Sequence, residues 1–305
     1  MPLSFPHLVS AGQLTTDDIA KLFARADEFE PVWLSGGRPN TLPNKIIALL
    51  FYEPSSRTML SFQAAVQGLG AGMILAQGKD GSSLAKGETI EDTIKVVACY
   101  SDLIVMRHPD NGSAAAAASV THVPFVNAGY GGNEHPTQAL LDLYTIKKEV
   151  GRLEDIHIAF AADPLHSRSI HSLALALSQY KNVRITFISP PSLRVGEERV
   201  KALAQAGVTC EETEDFSVGL TADVLYMNRL QQERFKDPAE FEKLRKRYIL
   251  TADMVKGKNV LVMDPLPRID EIATDVDALP NAAYFRQVRN GVLVRMALLD
   301  LLLGN

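Results

Sequence analysis

The chain has 305 residues, 46% apolar and 22% charged, with no low-complexity tract; at ~100–200 residues per domain this predicts two globular domains, each able to bury a core. A net charge of −5 offers no basic face for nucleic acid, so small anionic substrates have to be drawn in by local arginines. No apolar run approaches the ~20 residues of a membrane span, Met1-Pro2-Leu3-Ser4 lacks the charged and apolar regions of a signal peptide, and the widely spaced Cys99 and Cys210 signal neither a disulfide framework nor a zinc site, which together predict a cytoplasmic protein.

Thr15-Thr16-Asp17-Asp18 ahead of Ile19, Ala20, Leu22 and Phe23 predicts a capped amphipathic first helix. The apolar, β-prone run Ile46 to Phe51 reads as a buried strand, and the polar segment after it leads into a helix that continues from Phe62 to Leu69 and ends at Gly70. Free N–H groups and the positive end of the helix dipole make that helix start an anion site, and Ser55, Ser56, Arg57 and Thr58 add donors aimed at the same point. The plainer alternative is an ordinary Ser/Thr N-cap beside a surface arginine. Met73-Ile74-Leu75 gives a short strand, and the glycine-rich, charged loop Gly78 to Glu88 is expected to be exposed and mobile.

Helical spacing returns from Thr89 to Tyr100, and Leu103 to Met106 is a strand that ends in Arg107-His108-Pro109. Val123 to Val126 is a further strand, followed by Asn127 to Gln138 and a helix from about Ala139 to Val150. Glycines in that connection let the backbone approach a ligand closely, while His135 and Gln138, three apart at a helix start, share one face. An imidazole there can polarise a carbonyl; alternatively His135 is simply a helix-start residue beside Pro136.

A second α/β set follows Gly151-Arg152-Leu153. Its strands are Ile156 to Phe160, Arg184 to Ile188, Asp223 to Met227 and Asn259 to Met263, with helices near Ile170, from Glu197 to Gly207, and in a charged, solvated stretch from Gln232 to Arg247. The apolar final helix, Val292 to Leu303, has to pack against something. Strands alternate with helices in both halves, which predicts two doubly wound parallel sheets, and such sheets bind ligands beyond the carboxyl ends of their strands. Ser55 to Thr58, Arg107, His135 with Gln138, Arg168, Arg229 with Gln231, and Leu266-Pro267 all fall at such ends. A cleft between the domains would gather them.

Taken together, Ser-Ser-Arg-Thr with Ser61-Phe62, the run Ser83 to Thr89, Met106-Arg107-His108-Pro109, His135-Pro136-Thr137-Gln138, Arg168, Arg229-x-Gln231 and Pro265-Leu266-Pro267-Arg268 resemble the aspartate/ornithine carbamoyltransferase family, most nearly the catalytic chain of its aspartate branch. The resemblance runs over essentially the whole chain, with the motifs in family order. It implies a carbamoyl-phosphate-binding domain over 1–146 completed by a C-terminal helix over 288–305, an aspartate-binding domain over 147–287, and an active site in the cleft between them. It also implies that Ser55, Ser56, Arg57, Thr58 and Arg107 hold the phosphate, that Thr58, Arg107 and His135 contact the carbamoyl oxygen, and that Gln138 contacts the carbamoyl amide. Arg168, Arg229 and Gln231 would grip the carboxylates of L-aspartate, and the carbonyls of Leu266 and Pro267 would orient the amino groups. Ser83 and Lys86 would come from the neighbouring chain of a homotrimer and reach both substrates, with Ser82 an alternative for the serine. Ala162, where many relatives have glycine before the aspartate, is a departure expected to alter packing more than chemistry.

The implied reaction needs no metal, cofactor or side-chain nucleophile: the aspartate amine attacks the carbamoyl carbon, an oxyanion develops, and phosphate departs. His135 is expected to donate to that oxygen and not to act as a general base, with the leaving phosphate as proton acceptor. The rival within the family is ornithine carbamoyltransferase, which usually has His-Cys-Leu-Pro where this chain has Asp264-Pro265-Leu266-Pro267; a catalytically silent scaffold would have lost ligands that are intact here. Regulatory chains or a dihydroorotase chain are candidate partners whose contacts the sequence does not distinguish from ordinary surface.

Overall fold

Apolar runs become parallel strands in the computed structural model, which describes residues 2–78, 87–131, 134–232, 235 and 237–304. The chain divides into two compact units, Met1–Leu141 with Arg289–Asn305, and Asp142–Val288. The first contains β1 (His7–Leu8), α1 (Thr16–Leu34), β2 (Ile46–Phe51), α2 (Ser56–Gly68), β3 (Gly72–Gln77), α3 (Ile90–Ala98), β4 (Leu103–His108), α4 (Ser113–Val120) and β5 (Phe125–Tyr130), and α5 (Pro136–Val150) begins in it. Its strands pair in parallel in the order β1-β5-β4-β2-β3. Ile47 to Phe51 are all buried, as expected of a strand covered on both faces. The first helix starts as its sequence predicts: the Thr15 hydroxyl accepts from the Asp18 N–H while the Asp18 carboxylate accepts from the Thr15 N–H.

The second unit contains β6 (His157–Ala161), α6 (Arg168–Leu177), β7 (Arg184–Ile188), α7 (Glu197–Gln205), β8 (Thr209–Thr213), β9 (Val224–Met227), α8 (Pro238–Arg245), α9 (Ala252–Val255) and β10 (Leu261–Met263). Its sheet is parallel in the order β10-β9-β6-β7-β8. Phe160 stacks on Phe187 with centroids 5.7 Å apart and meets Tyr226 edge-on at 5.6 Å, a geometry that aromatic quadrupoles favour. The last helix, α10 (Tyr284–Leu303), starts in this unit and ends in the first. There it packs on α2: a Cβ on Gly68 would lie 2.7 Å from the Met296 sulfur, and the Arg295 guanidinium sits 5.0 Å from the Phe62 ring centre.

Differences from the sequence reading have local causes. The helix α4 went unread although it carries five consecutive alanines, the best helix formers, because an all-alanine face has no apolar periodicity to detect. The edge strand β8, Thr-Cys-Glu-Glu-Thr, is half exposed and lacks an apolar run, and β1 is two residues long. The strand β5 runs from Phe125 to Tyr130, later than the apolar run suggested, and β4 continues through Arg107 and His108. The helices α5 and α10 each begin upstream of the expected start, at Pro136 and Tyr284. Ala162 takes φ +84° while fully buried, so the departure noted in the sequence falls on backbone conformation, at about 1–2 kcal/mol for a residue with a Cβ.

Candidate active site

In each sheet the strand order reverses once, between β2 and β4 in the first unit and between β6 and β9 in the second. Loops leaving the two strands on either side of a reversal part in opposite directions and leave a crevice at their carboxyl ends. Those four strands lead to Ser55–Thr58, Arg107, Arg168, and Arg229 with Gln231, respectively.

In the first unit, β2 delivers the chain to α2 with Ser55 as N-cap at φ −161°, ψ 83°, and the Ser55 side chain makes no capping hydrogen bond. The serine therefore stands at the helix start without satisfying the first-turn N–H groups that an ordinary cap would engage. No acidic side chain occupies that first turn; Ser56 and Arg57 are exposed and Thr58 is buried. Ser55 is thus not the plain side-chain N-cap of the alternative reading.

His135 is a helix-start residue with a buried side chain. Its carbonyl accepts from the N–H groups of Gln138 and Ala139 at 3.0 and 3.1 Å, so it caps α5 ahead of Pro136. Its imidazole is buried, with Nε2 3.4 Å from the Thr58 hydroxyl and Nδ1 3.4 Å from the Thr137 hydroxyl. Gln138, in the first turn of α5, is buried as well. Arg107 is buried near the end of β4, with one Nη donating to the Ala128 carbonyl at 3.3 Å and the other to Glu53 at 3.2 Å. Between Arg107 and His135 lies Gly129 at φ +109°: a Cβ there would come within 2.9 Å of Arg107 Nη1 and 3.6 Å of His135 Cδ2. The Gly129 N–H donates to Asn127 Oδ1 at 2.8 Å, which holds this close approach. Thr58, His135 and Arg107, from three different strand ends, therefore form one contiguous polar group. Nearby, burial followed by the charge of Glu88 pushes the Tyr52 phenol up to about 12.

In the second unit, Arg168 is the first residue of α6, capped by Ser167, whose hydroxyl accepts from the Ile170 N–H. Asp163, fully buried in the preceding loop, accepts from the His166 N–H and stands 3.0 Å from His166 Nδ1. Burial raises its pKa, and the charge of His166 and backbone bonds from His166 and Gln231 pull it back. Asp163 thereby joins the Arg168 loop to Gln231. Asn228 adds a second link, accepting from the Ser167 hydroxyl at 3.2 Å and donating to the Arg229 carbonyl at 3.1 Å.

Beyond β10, Leu266 takes φ +57° and is joined to Pro267 by a cis peptide. Its N–H donates to Asp264 at 2.6 Å, and the Asp264 N–H donates to Gln287 at 3.1 Å. Gln287 and the Tyr226 hydroxyl both donate to the buried Asp142 carboxylate, at 2.6 and 2.8 Å. Burial first, then that carboxylate, raises the Tyr226 pKa well above its usual value. Arg268, by contrast, is committed to a pair with Asp277 and Tyr284. Ser82, Ser83 and Lys86 lie outside the described residues.

Sequence reasoning missed Glu53, Gly129, Asp163, Asn228, Asp142 and Gln287 as supports of the site. Glu53 lies in the polar segment after β2, but nothing in its spacing signals a bond to Arg107 54 residues away. Among the described residues no cluster of three or more His, Cys, Asp or Glu is arranged to hold a metal, and no helix is long and apolar enough to cross a membrane.

Two profiles match the sequence in tandem: the aspartate/ornithine carbamoyltransferase carbamoyl-P binding domain over residues 6–148 and the Asp/Orn binding domain of the same family over 154–302. The chain belongs to the aspartate/ornithine carbamoyltransferase family. Within this family it is 46% identical over 301 residues to the aspartate carbamoyltransferase catalytic subunit of Methanopyrus kandleri, covering 97% of each chain. The crystal structure of the catalytic subunit of aspartate transcarbamoylase from Methanocaldococcus jannaschii superposes with a TM-score of 0.92 at 43% identity, covering 97% of both chains. The enzyme from Trypanosoma cruzi in complex with N-(phosphonacetyl)-L-aspartic acid superposes with a TM-score of 0.89 at 38% identity, covering 96% of this chain and 94% of that one. The family's two-sheet α/β architecture is the one described above.

Proposed function

We propose that this chain transfers the carbamoyl group of carbamoyl phosphate to the amino group of L-aspartate, giving N-carbamoyl-L-aspartate and phosphate, the reaction named for its relatives in both comparisons. The observation that carries the reading is the convergence of Thr58, Arg107 and His135 beside the uncapped start of α2. The first-turn N–H groups of α2 with Ser55, Ser56, Arg57, Thr58 and Arg107 bind the phosphate. Thr58, Arg107 and His135 donate to the carbamoyl oxygen, and Gln138 takes the carbamoyl amide. The Thr137 hydroxyl donates to His135 Nδ1 and keeps the proton on Nε2, the nitrogen that then donates to the substrate.

As the amine nitrogen bonds to the carbamoyl carbon, charge builds on that oxygen; the carbon–oxygen bond to phosphate breaks with its electron pair leaving on phosphate, which takes the amine proton. Fixed donors aimed at the developing oxyanion typically supply about 2.7–4 kcal/mol each. Arg168, Arg229 and Gln231 bind the aspartate carboxylates, aligned by Asp163, and the carbonyls of Leu266 and Pro267 orient the amino groups. The chain works as a homotrimer in which Ser83 (or Ser82) and Lys86 of a neighbour complete each site. The setting is cytoplasmic and the product enters pyrimidine biosynthesis. The "catalytic subunit" relatives support association with regulatory chains.

A steady-state assay with carbamoyl phosphate and either L-aspartate or L-ornithine tests this reading. Carbamoylation of aspartate alone is expected. Turnover of ornithine would overturn the roles of Arg229 and Gln231, and turnover of neither by a trimer would overturn the enzymatic reading.

A further inference from the structure

Val9, Ser10 and Ala11 are tied to both ends of the connection that carries His135. Upstream, buried Asn127 donates from Nδ2 to the Val9 carbonyl at 2.7 Å while its Oδ1 accepts from Gly129, the residue wedged against Arg107. Downstream, the Glu134 carboxylate accepts from the Ser10 hydroxyl at 2.9 Å and from the Ala11 N–H at 2.7 Å. Ala11 opens a short 3-10 turn over Ala11–Gln13, and the carboxylate is its charged acceptor. The N-terminal segment is itself held by the sheet, because His7 and Leu8 pair in parallel with Phe125 and Val126. The Gln13 side chain closes it further, accepting from the N–H groups of Val9 and Ser10 at 2.8 and 3.1 Å.

Glu134 directly precedes His135. The Glu134 carbonyl accepts from the Tyr130 N–H at 3.4 Å, its side chain is clamped by Ser10 and Ala11, and the next carbonyl is committed to capping α5. The peptide joining residues 134 and 135 is thus fixed from three directions, and the imidazole it carries is left facing Thr58.

From this geometry we infer that Glu134 is a positioning residue for His135: its carboxylate, seated on Ser10 and Ala11 of the N-terminal segment, sets the direction of the imidazole toward the carbamoyl oxygen. The role rests on the function proposed above. Misplacing a catalytic group by about 1 Å costs on the order of a hundredfold in rate, whereas the grip on aspartate assigned to Arg168, Arg229 and Gln231 belongs to the other unit. Loss of the clamp therefore lowers kcat and leaves aspartate affinity alone.

The test compares the trimeric parent with Glu134→Ala, Glu134→Gln and Ser10→Ala in kcat, KM for aspartate, melting temperature and the side-chain 15N signals of His135 in histidine-labelled protein. Glu134→Ala is expected to lower kcat by roughly tenfold to a hundredfold with KM for aspartate within about twofold, and to shift the His135 signals. Glu134→Gln, which keeps an acceptor oxygen for the Ala11 N–H, recovers part of kcat, and Ser10→Ala gives a smaller loss than Glu134→Ala. A lowered melting temperature with kcat and the His135 signals unchanged would overturn the role, as would an equal loss in the Gln and Ala variants. Should the parent fail to carbamoylate aspartate, the proposed function falls, while the His135 signals of the variants still decide whether Glu134 sets the ring.

Discussion

Replacing Gly129 by alanine probes the core of the site without removing any group assigned to substrate. At φ +109° the backbone lies where only glycine is at ease, so the substitution costs about 1–3 kcal/mol of folding free energy from conformation alone. The new Cβ would stand 2.9 Å from Arg107 Nη1, and ordinary contact begins near 3.4 Å, so the guanidinium has to withdraw by about half an ångström. Its present place is fixed by the Ala128 carbonyl and Glu53, and withdrawal strains both bonds. With Arg107 displaced from the carbamoyl oxygen, kcat is expected to fall by about a hundredfold or more. Gly112→Ala is the control: φ there is +83°, and nothing among the described residues lies within 4 Å of a built Cβ. It should lower the melting temperature to a similar degree and leave kcat unchanged. If Gly129→Ala behaved like Gly112→Ala, keeping kcat within about threefold, the wedge between Arg107 and His135 would have no catalytic meaning.

Other substitutions read other parts of the account. His135→Ala should reduce kcat by about a hundredfold to a thousandfold; a kcat within about threefold of the parent would refute the electrophilic role. Asp142→Ala strands the Tyr226 hydroxyl and the Gln287 amide, which should lower unfolding free energy by about 2–5 kcal/mol, readable in a denaturant titration. His171, buried on α6, donates from Nε2 to the Pro164 carbonyl at 2.8 Å while Nδ1 has no partner among the described residues, and burial, then the charge of Arg199, lowers its pKa to about 4. A depressed folded-state pKa means that the neutral ring's contribution is complete above the unfolded value of 6.5 and is lost as pH falls toward 4. That limb amounts to up to about 3 kcal/mol. Denaturant titrations of His171→Gln between those limits should be correspondingly flatter than the parent's, and parallel curves would exclude His171 as the source.

Strand-ending clusters were legible in the sequence because a parallel sheet buries its strands and exposes only the loops. An apolar run that stops at Ser55, Arg107 or Arg229 therefore announces a site end by itself. The start of α2 at Ser55 was legible for the same reason, since hydroxyl residues after an apolar run mark a helix start. What escaped detection depends on distance in the chain: Glu53 on Arg107, Glu134 on Ser10, and Asp142 on Gln287 are pairings across 54, 124 and 145 residues that no local spacing records. Gly129 was read only as a place of close backbone approach, and the group it approaches, Arg107, needed coordinates. Ala162 shows the reverse case, a substitution visible in the sequence whose effect lies in a φ of +84° that no residue pattern states.

The most direct measurement is a crystal structure of the protein with carbamoyl phosphate bound. The phosphate should lie on the first-turn N–H groups of α2, within hydrogen-bond distance of Ser55, Arg57 and Arg107, with the carbamoyl oxygen at His135 Nε2 and the Thr58 hydroxyl. A phosphate seated elsewhere, or a carbamoyl oxygen turned away from His135, would contradict the account.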